Sequence, residues 1–215
     1  MKITIIYDNN AEKDLESDWG FSCLIENKQE ILFDTGANGR ILLGNMEKLN
    51  LDPKSINEVF ISHSHFDHTG GLAEFLNVND KAKIYIPQSF RGVKNRKVIE
   101  IKEPLKLHPD VFSTGELDRI EQSLVINTEK GLVIIVGCSH PGVDRIMERA
   151  KEIGRPLGQD KIYAVIGGYH GFSKLDKLKE VQLIGACHCT QYKEEMKNRF
   201  PDKFREIKAG SIIEI

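Results

Sequence analysis

No apolar run in this chain approaches the roughly 20 residues that a membrane-spanning helix needs, so no membrane partner is expected. Charge of one sign is missing too. Thirty Lys and Arg against 32 Asp and Glu leave a net −2, too near neutral to argue for nucleic acid or an anionic surface. Four cysteines, Cys23, Cys138, Cys187 and Cys189, read as thiols rather than a disulfide framework in a cytoplasmic protein. The opening segment Met1–Tyr7 reaches polar and acidic residues too soon for an export leader, so a cytoplasmic location with reduced thiols is expected. Internal repeats, low-complexity segments and Pro/Ser-rich linkers are all missing. What remains, 215 residues with 40% hydrophobic and 29% charged content, is the composition of a single globular domain over 1–215 with a packed core.

Periodicity predicts strands at Lys2–Tyr7, Phe21–Glu26 and Glu30–Phe33, the last two joined as a hairpin through Asn27-Lys28-Gln29. Further strands are expected at Val59–Ser62, Lys83–Ile86, Ile162–Ile166, Phe204–Ile207 and Ser211–Glu214. A hairpin is expected from Ser123–Asn127 and Leu132–Val136. Helices are expected at Arg40–Leu49, Leu72–Leu76, Pro141–Ile153, near Ser173–Glu180 and at Gln191–Phe200. Pro141 early in its helix and Gly154 just after it match the usual asymmetry of helix ends. Strands dominate early and helices are interspersed late, which indicates a mixed α/β layer structure with sheet inside and helices outside.

The histidines are few but unevenly placed. Three of the seven lie in His63-Ser64-His65-Phe66-Asp67-His68, directly after the apolar Val59-Phe60-Ile61. Imidazole nitrogen and carboxylate oxygen are donors that zinc, iron and manganese accept, and a cation explains a crowd of histidines better than a polar capping loop does. His140 in Gly137–Gly142, His170 in Gly167–Gly171 and His188 in Cys187–Thr190 each follow an apolar run, the position from which a rigid sheet presents chemistry. His108 alone lies outside such a context and reads as an ordinary loop residue. His63, His65, Asp67, His68, His140, His170 and His188 make seven candidate ligands. That is too many for one catalytic ion, which takes three protein donors and a water, and about right for two. Two residues apart on an extended backbone, His63 and His65 face one side, so Asp67 and His68 face a second ion. The cysteines flanking His188, and Cys138 beside His140, read as buried, inert thiols rather than ligands.

The motif His63-x-His65-x-Asp67-His68 with a downstream His140 and a late His188 resembles the metallo-β-lactamase superfamily. The resemblance implies an α/β fold, a four-layer αββα sandwich with a dinuclear site at one edge. It also implies that Asp34, in Ile31–Gly36, supports the metal site through hydrogen bonds to its ligands. Asp8-Asn9, Gly20–Ser22, Ile61–Leu72, Gly115-Glu116, Gly137–Gly142, Gly167–His170 and His188–Thr190 are similar to one subgroup. Its members are metal-dependent hydrolases related to a dihydropterin–ribofuranosylaminobenzene phosphate synthase. Two departures stand out. No carboxylate falls within 162–172 to bridge the ions, and His170 occupies that place. A neutral imidazole has one free lone pair and does not bridge, so His170 either binds one ion terminally, acts as acid or base, or contacts substrate. The segment between Gly115-Glu116 and Glu121–Leu124 is also shorter than in typical subgroup members, so substrate specificity does not transfer.

The expected function is a metal-dependent hydrolase with two divalent ions, zinc first, with iron or manganese also suited to these donors. His63, His65 and His140 would hold one ion and Asp67, His68 and His188 the other. A bound water acidified to a pKa of about 7 would be the nucleophile, with Asp67 also a proton acceptor. The basic segment Phe90–Val98 suits a small phosphorylated or anionic substrate, with Arg91 and Lys94 as its candidate contacts. One rival is a transferase of the dihydropterin type, in which the metals activate a diphosphate leaving group. Another is a non-catalytic binding domain stabilised by metal. The di-iron redox version of the fold places a carboxylate where His65 stands, and a secreted β-lactamase would need an export signal.

Overall fold

The computed structural model describes residues 1–93 and 96–215. The chain forms two compact units, Met1–Glu100 with Lys208–Ile215, and Ile101–Ile207.

The first unit is built on a seven-stranded sheet. Its strands are β1 (Lys2–Tyr7), β2 (Ser22–Glu26), β3 (Glu30–Phe33), β4 (Glu58–Phe60), β5 (Lys83–Pro87), β6 (Val98–Ile101) and the chain-terminal β13 (Ile212–Glu214). Their order across the sheet is β13-β1-β2-β3-β4-β5-β6. β1 pairs antiparallel with both β13 and β2, and β2 and β3 form the expected hairpin. The direction then changes: β3, β4 and β5 run parallel, with Phe33 opposite Phe60 and Phe60 opposite Tyr85. Three parallel neighbours therefore end side by side, and the segments following them carry Asp34, the histidine motif and Phe90.

Helices α1 (Gly39–Lys48), α2 (Phe66–Thr69) and α3 (Leu72–Val78) complete the unit. α1 starts where Asn38 accepts hydrogen bonds from the backbone N–H of Arg40 and Ile41, the usual role of Asn at a helix start. Its buried face is Ile41, Leu42, Asn45 and Met46, and Ile41, Leu42 and Met46 join Ile6, Leu32, Val59, Ile61 and Phe75 in one apolar cluster. Asn45 is buried without cost to its amide, which donates to Ile6 O and Glu16 O and accepts from Glu16 N.

The second unit holds a six-stranded sheet of β7 (Leu105–His108), β8 (Val111–Ser113), β9 (Leu124–Thr128), β10 (Gly131–Val136), β11 (Ile162–Gly168) and β12 (Leu183–Cys187). They lie in the order β12-β11-β10-β9-β8-β7. β7 to β10 form an antiparallel meander, whereas β10, β11 and β12 are parallel neighbours in the register Val136–Gly167 and Gly168–Cys187. Parallel strands buried on both faces read as continuous apolar runs, as Leu132–Val136 and Ile162–Ile166 do. α4 (Val143–Gly154) packs Val143, Ile146, Met147 and Ala150 against Ile134, Val165 and Leu178. α5 (Lys193–Arg199) completes the helices.

Several sequence expectations are corrected. Pro141 lies before α4, which begins after Gly142. Gly154 is still helical, and the left-handed residue that ends the segment is Gly158 after a 3₁₀ turn at Arg155–Leu157. The expected helix near Ser173–Glu180 is a 3₁₀ helix, Leu175–Glu180. Phe204–Ile207 is not a strand: only Phe204 bridges Ile184. His108 ends β7 and is not a loop residue. The strands β6, β7 and β8 escape the sequence pattern because each is only three or four residues long, so that even the Leu105-Lys106-Leu107-His108 alternation of β7 is too brief to stand out.

Candidate metal centre

In the first unit the histidine motif leaves β4 and turns into α2. The loop is pinned to the segment after β3 by His68 O, which accepts from Thr35 N at 2.8 Å and Thr35 Oγ1 at 3.0 Å. Such closeness needs glycine. A Cβ on Gly70 would stand 2.2 Å from Ala37 O, and one on Gly71 2.3 Å from Thr35 O. Gly70-Gly71 thus serves the motif by letting two backbones touch.

Asp34 organises the donors. It is fully buried, has a left-handed backbone (φ 53°), and accepts three strong hydrogen bonds: Ser62 N at 2.7 Å, Ser62 Oγ at 2.6 Å and His68 Nδ1 at 2.7 Å. These contacts fix tautomers. A carboxylate only accepts, so His68 carries its proton on Nδ1 and keeps the Nε2 lone pair. Ser62 gives its one hydroxyl proton to Asp34, so its oxygen accepts from His63 Nδ1 at 2.9 Å, which leaves Nε2 of His63 unprotonated as well. One buried carboxylate thereby sets both ring donors, the arrangement that outer groups impose on metal-binding histidines.

The lone pairs then converge. His63 Nε2 lies 3.2 Å from His65 Nδ1 with the rings edge-on, and His68 Nε2 lies 3.7 Å from Asp67 Oδ2. Two ring nitrogens that close need a proton or a cation between them, and a carboxylate facing an imidazole lone pair is likewise suited to a shared cation. The donor set fits divalent metal. One detail departs from the expected division into two faces: the rings of His63 and His68 lie 4.2 Å apart, because α2 turns the chain back after His65. His63 and His68 are buried, Asp67 is half-buried and His65 is exposed. Deep burial, and then the charge of Asp34, hold the Cys23 thiol well above its usual pKa, so this cysteine stays protonated.

In the second unit His140, His170 and His188 follow β10, β11 and β12, the three adjacent parallel strands. The loops are laced together. Ser139 Oγ donates to Gly168 O at 2.7 Å, Thr190 Oγ1 accepts from Tyr169 N at 2.9 Å, and Gln191 N donates to His170 O at 3.0 Å. Ser139, His170 and His188 all have left-handed backbones, φ 58°, 43° and 48°. Non-glycine residues take that conformation at a cost, and it marks sites the surroundings over-determine. His140 and His170 rings stand 5.0 Å apart on the wall of a cavity of about 430 Å³ that also reaches Arg145 and Lys174. His170 is exposed and His188 buried.

The left-handed turn at His188 removes the extended backbone on which the cysteine expectation rested. Cys187 is buried but Cys189 is half-exposed, and Cys138 Sγ lies within 4.8 Å of a ring nitrogen of His140 and of one of His188. Cys138 therefore stands among the donors. Its signal in the sequence was its spacing from His140, which cannot distinguish a core thiol from a ligand. Glu121 was also missed: its carboxylate accepts from the backbone N–H of Gly137, Cys138, Ser139 and His140.

Arg91 is exposed, and its Nη1 donates to Gln88 O and Phe90 O. Arg96 donates to Leu76 O and Asp80 O, which closes the end of α3. Lys94 lies outside the described residues. Arg91 and Arg96 nonetheless border a cleft of about 700 Å³ that is floored by Leu72, Leu76 and Phe90 and reaches Ser64 of the motif.

Comparison with known proteins agrees with this geometry. Residues 20–148 match the family model of the metallo-β-lactamase superfamily. A 7,8-dihydropterin-6-methyl-4-(β-D-ribofuranosyl)-aminobenzene-5′-phosphate synthase of Methanocaldococcus jannaschii is 33% identical over 92% of this chain and 90% of its own length. Among solved structures, Tm1679, described as a metal-dependent hydrolase of the β-lactamase superfamily, is similar with a TM-score of 0.80 at 25% identity, over 100% of this chain and 99% of that one. The short form of human tRNase Z shares the fold, with a TM-score of 0.68 at 15% identity over 100% and 99% of the two chains. Two mixed sheets, the histidine motif followed by Gly70-Gly71, and likeness along the whole chain lead to one conclusion: this protein belongs to the metallo-β-lactamase superfamily and has its α/β fold.

Proposed function

We propose that this protein is a metal-dependent hydrolase that uses two divalent ions, zinc foremost, on a small anionic substrate. The observation that carries the reading is the Asp34 network, which leaves Nε2 of both His63 and His68 unprotonated and turned toward His65 and Asp67. We assign metal binding to His63, His65, Asp67 and His68 in the first unit and to His140 and His188 in the second, with Cys138 as an added candidate. The ions, when bound, would supply acidified water and charge stabilisation on the substrate. The residues do the rest: Asp34 and Ser62 hold the tautomers, the Asp67 carboxylate can take a proton, and exposed His170 can contact substrate or exchange a proton at its ring.

A second reading is favoured by the 33% relative, whose name describes a synthase acting on a dihydropterin and a ribofuranosylaminobenzene phosphate. Under it the same ions would activate a diphosphate leaving group instead of water. One experiment separates the two. Zinc-loaded protein is given a panel of phosphoesters and lactones and, in parallel, a dihydropterin diphosphate with the ribofuranosylaminobenzene phosphate acceptor. Turnover in the panel supports hydrolysis, and coupled product supports transfer. His63→Ala with His65→Ala should abolish bound metal and turnover in either case. Full metal occupancy in that double variant would remove the metal assignment.

A further inference from the structure

The second unit contains a carboxylate that no donor-counting argument uses. Glu121 is 1% exposed and lies 16 to 19 residues before the loop it touches, and a carboxylate buried that deeply needs hydrogen-bond partners. Its Oε1 accepts from Gly137 N at 3.1 Å, Cys138 N at 3.0 Å and Ser139 N at 2.9 Å, and its Oε2 accepts from His140 N at 2.9 Å. Four successive backbone N–H groups curl around one carboxylate, with Ser139 left-handed at φ 58° to make the curl. Such a run of N–H groups is an anion-binding concavity, and here the anion is the chain's own. A carboxylate is the one side chain that suits it, because it offers acceptors on both oxygens and no donor.

The loop so held is the one carrying Cys138 and His140. Both sit just past β10, and Cys138 Sγ lies within 4.8 Å of ring nitrogens of His140 and His188. Without the carboxylate these four N–H groups would lose the acceptor they now share. Asp34 offers a parallel in the first unit, where one buried carboxylate also shapes a histidine-bearing loop.

We infer that Glu121 is a positioning residue for the metal centre: its carboxylate clamps 137–140 so that His140 and Cys138 are held ready for an ion. The inference rests on the metal reading above. In Glu121→Gln the side chain keeps its shape but has one acceptor oxygen, so an amide NH₂ must face at least one loop N–H.

The test uses the full-length protein, zinc competition against a chromophoric chelator, and amide hydrogen exchange by NMR on metal-free samples. Glu121→Gln should weaken zinc binding about 10–100-fold, the usual penalty for losing an outer partner of a ligand. Exchange at 137–140 should quicken by about 10-fold or more. Val125→Ala, a buried β9 residue with no bond to this loop, controls for general destabilisation and should keep wild-type zinc affinity. Wild-type zinc affinity in Glu121→Gln overturns the inference, as does equal weakening in Val125→Ala. If the wild-type protein takes up no zinc, the metal reading fails. Glu121 is then judged by exchange alone: lost protection at 137–140 upholds the clamp, and retained protection overturns it.

Discussion

Asp34→Asn isolates what the buried carboxylate contributes. Asparagine tolerates the left-handed backbone at this position, so the variant changes hydrogen bonding with little added backbone strain. It has one acceptor oxygen for three donors. If its NH₂ replaces Oδ1, it opposes Ser62 N–H. If it replaces Oδ2, it donates toward Ser62 Oγ and His68 Nδ1 and drives the His68 proton to Nε2, destroying that lone pair. Losing a charged acceptor at a dry site costs about 1.5–3 kcal/mol. For a chain of this size that corresponds to a fall in melting temperature of roughly 3–12 °C. Zinc affinity should drop about 10–100-fold, since both imidazoles lose their assigned tautomer. Thermal melts of metal-free protein and chelator competition for zinc measure the two effects separately. Ser62→Ala should reproduce a smaller share, because it frees only His63. Wild-type zinc affinity in Asp34→Asn would refute the tautomer argument even if stability fell.

Tyr7 offers a pH test away from the histidines. Its phenol is held well above the usual range, first by burial and then by its hydrogen bond to Asp18 and that residue's charge. The stability it contributes is complete below the unfolded phenol pKa of about 10 and falls by about 1.4 kcal/mol per pH unit above it, because only the unfolded chain ionises. Tyr7→Phe should flatten this share of the alkaline decline in urea unfolding between pH 9 and 11, and an unchanged slope would contradict it. Gly167→Ala would put a Cβ 2.0 Å from Val136 O at φ +130°, and should cost more than about 4 kcal/mol or abolish soluble yield. Gly158→Ala, with open space around it, should cost only about 1–2 kcal/mol for its left-handed backbone, as read from denaturant midpoints. Neutralising Arg91 and Lys94 together should raise KM for an anionic substrate. Arg96→Ala should lower stability by about 1 kcal/mol, read from denaturant midpoints, since its guanidinium closes α3.

The division between what could be read early and what could not follows distance along the chain. The histidine motif was legible because its donors lie within six residues and their spacing is a local property. The β2–β3 hairpin and the strands after which Asp34, His63, His140 and His170 stand were legible for the same reason: apolar periodicity is local. β6 and β7 were not, because each is only four residues long and leaves too brief a pattern to read. Phe204–Ile207 had the composition of a strand but found a single bridge rather than a pairing edge.

Residue identity alone therefore determined that this chain carries a metal-type donor motif on a sheet of the metallo-β-lactamase kind. Only the tertiary structure decided which nitrogen of each imidazole is available. It also decided that Cys138 stands among the donors, and that Glu121 holds the loop of His140. The Asp34 and Glu121 hydrogen bonds behind the first and last of these join residues 16 to 34 positions apart. Their partners become neighbours only once β4 lies parallel to β3 and β9 antiparallel to β10, and no spacing rule in a sequence encodes that.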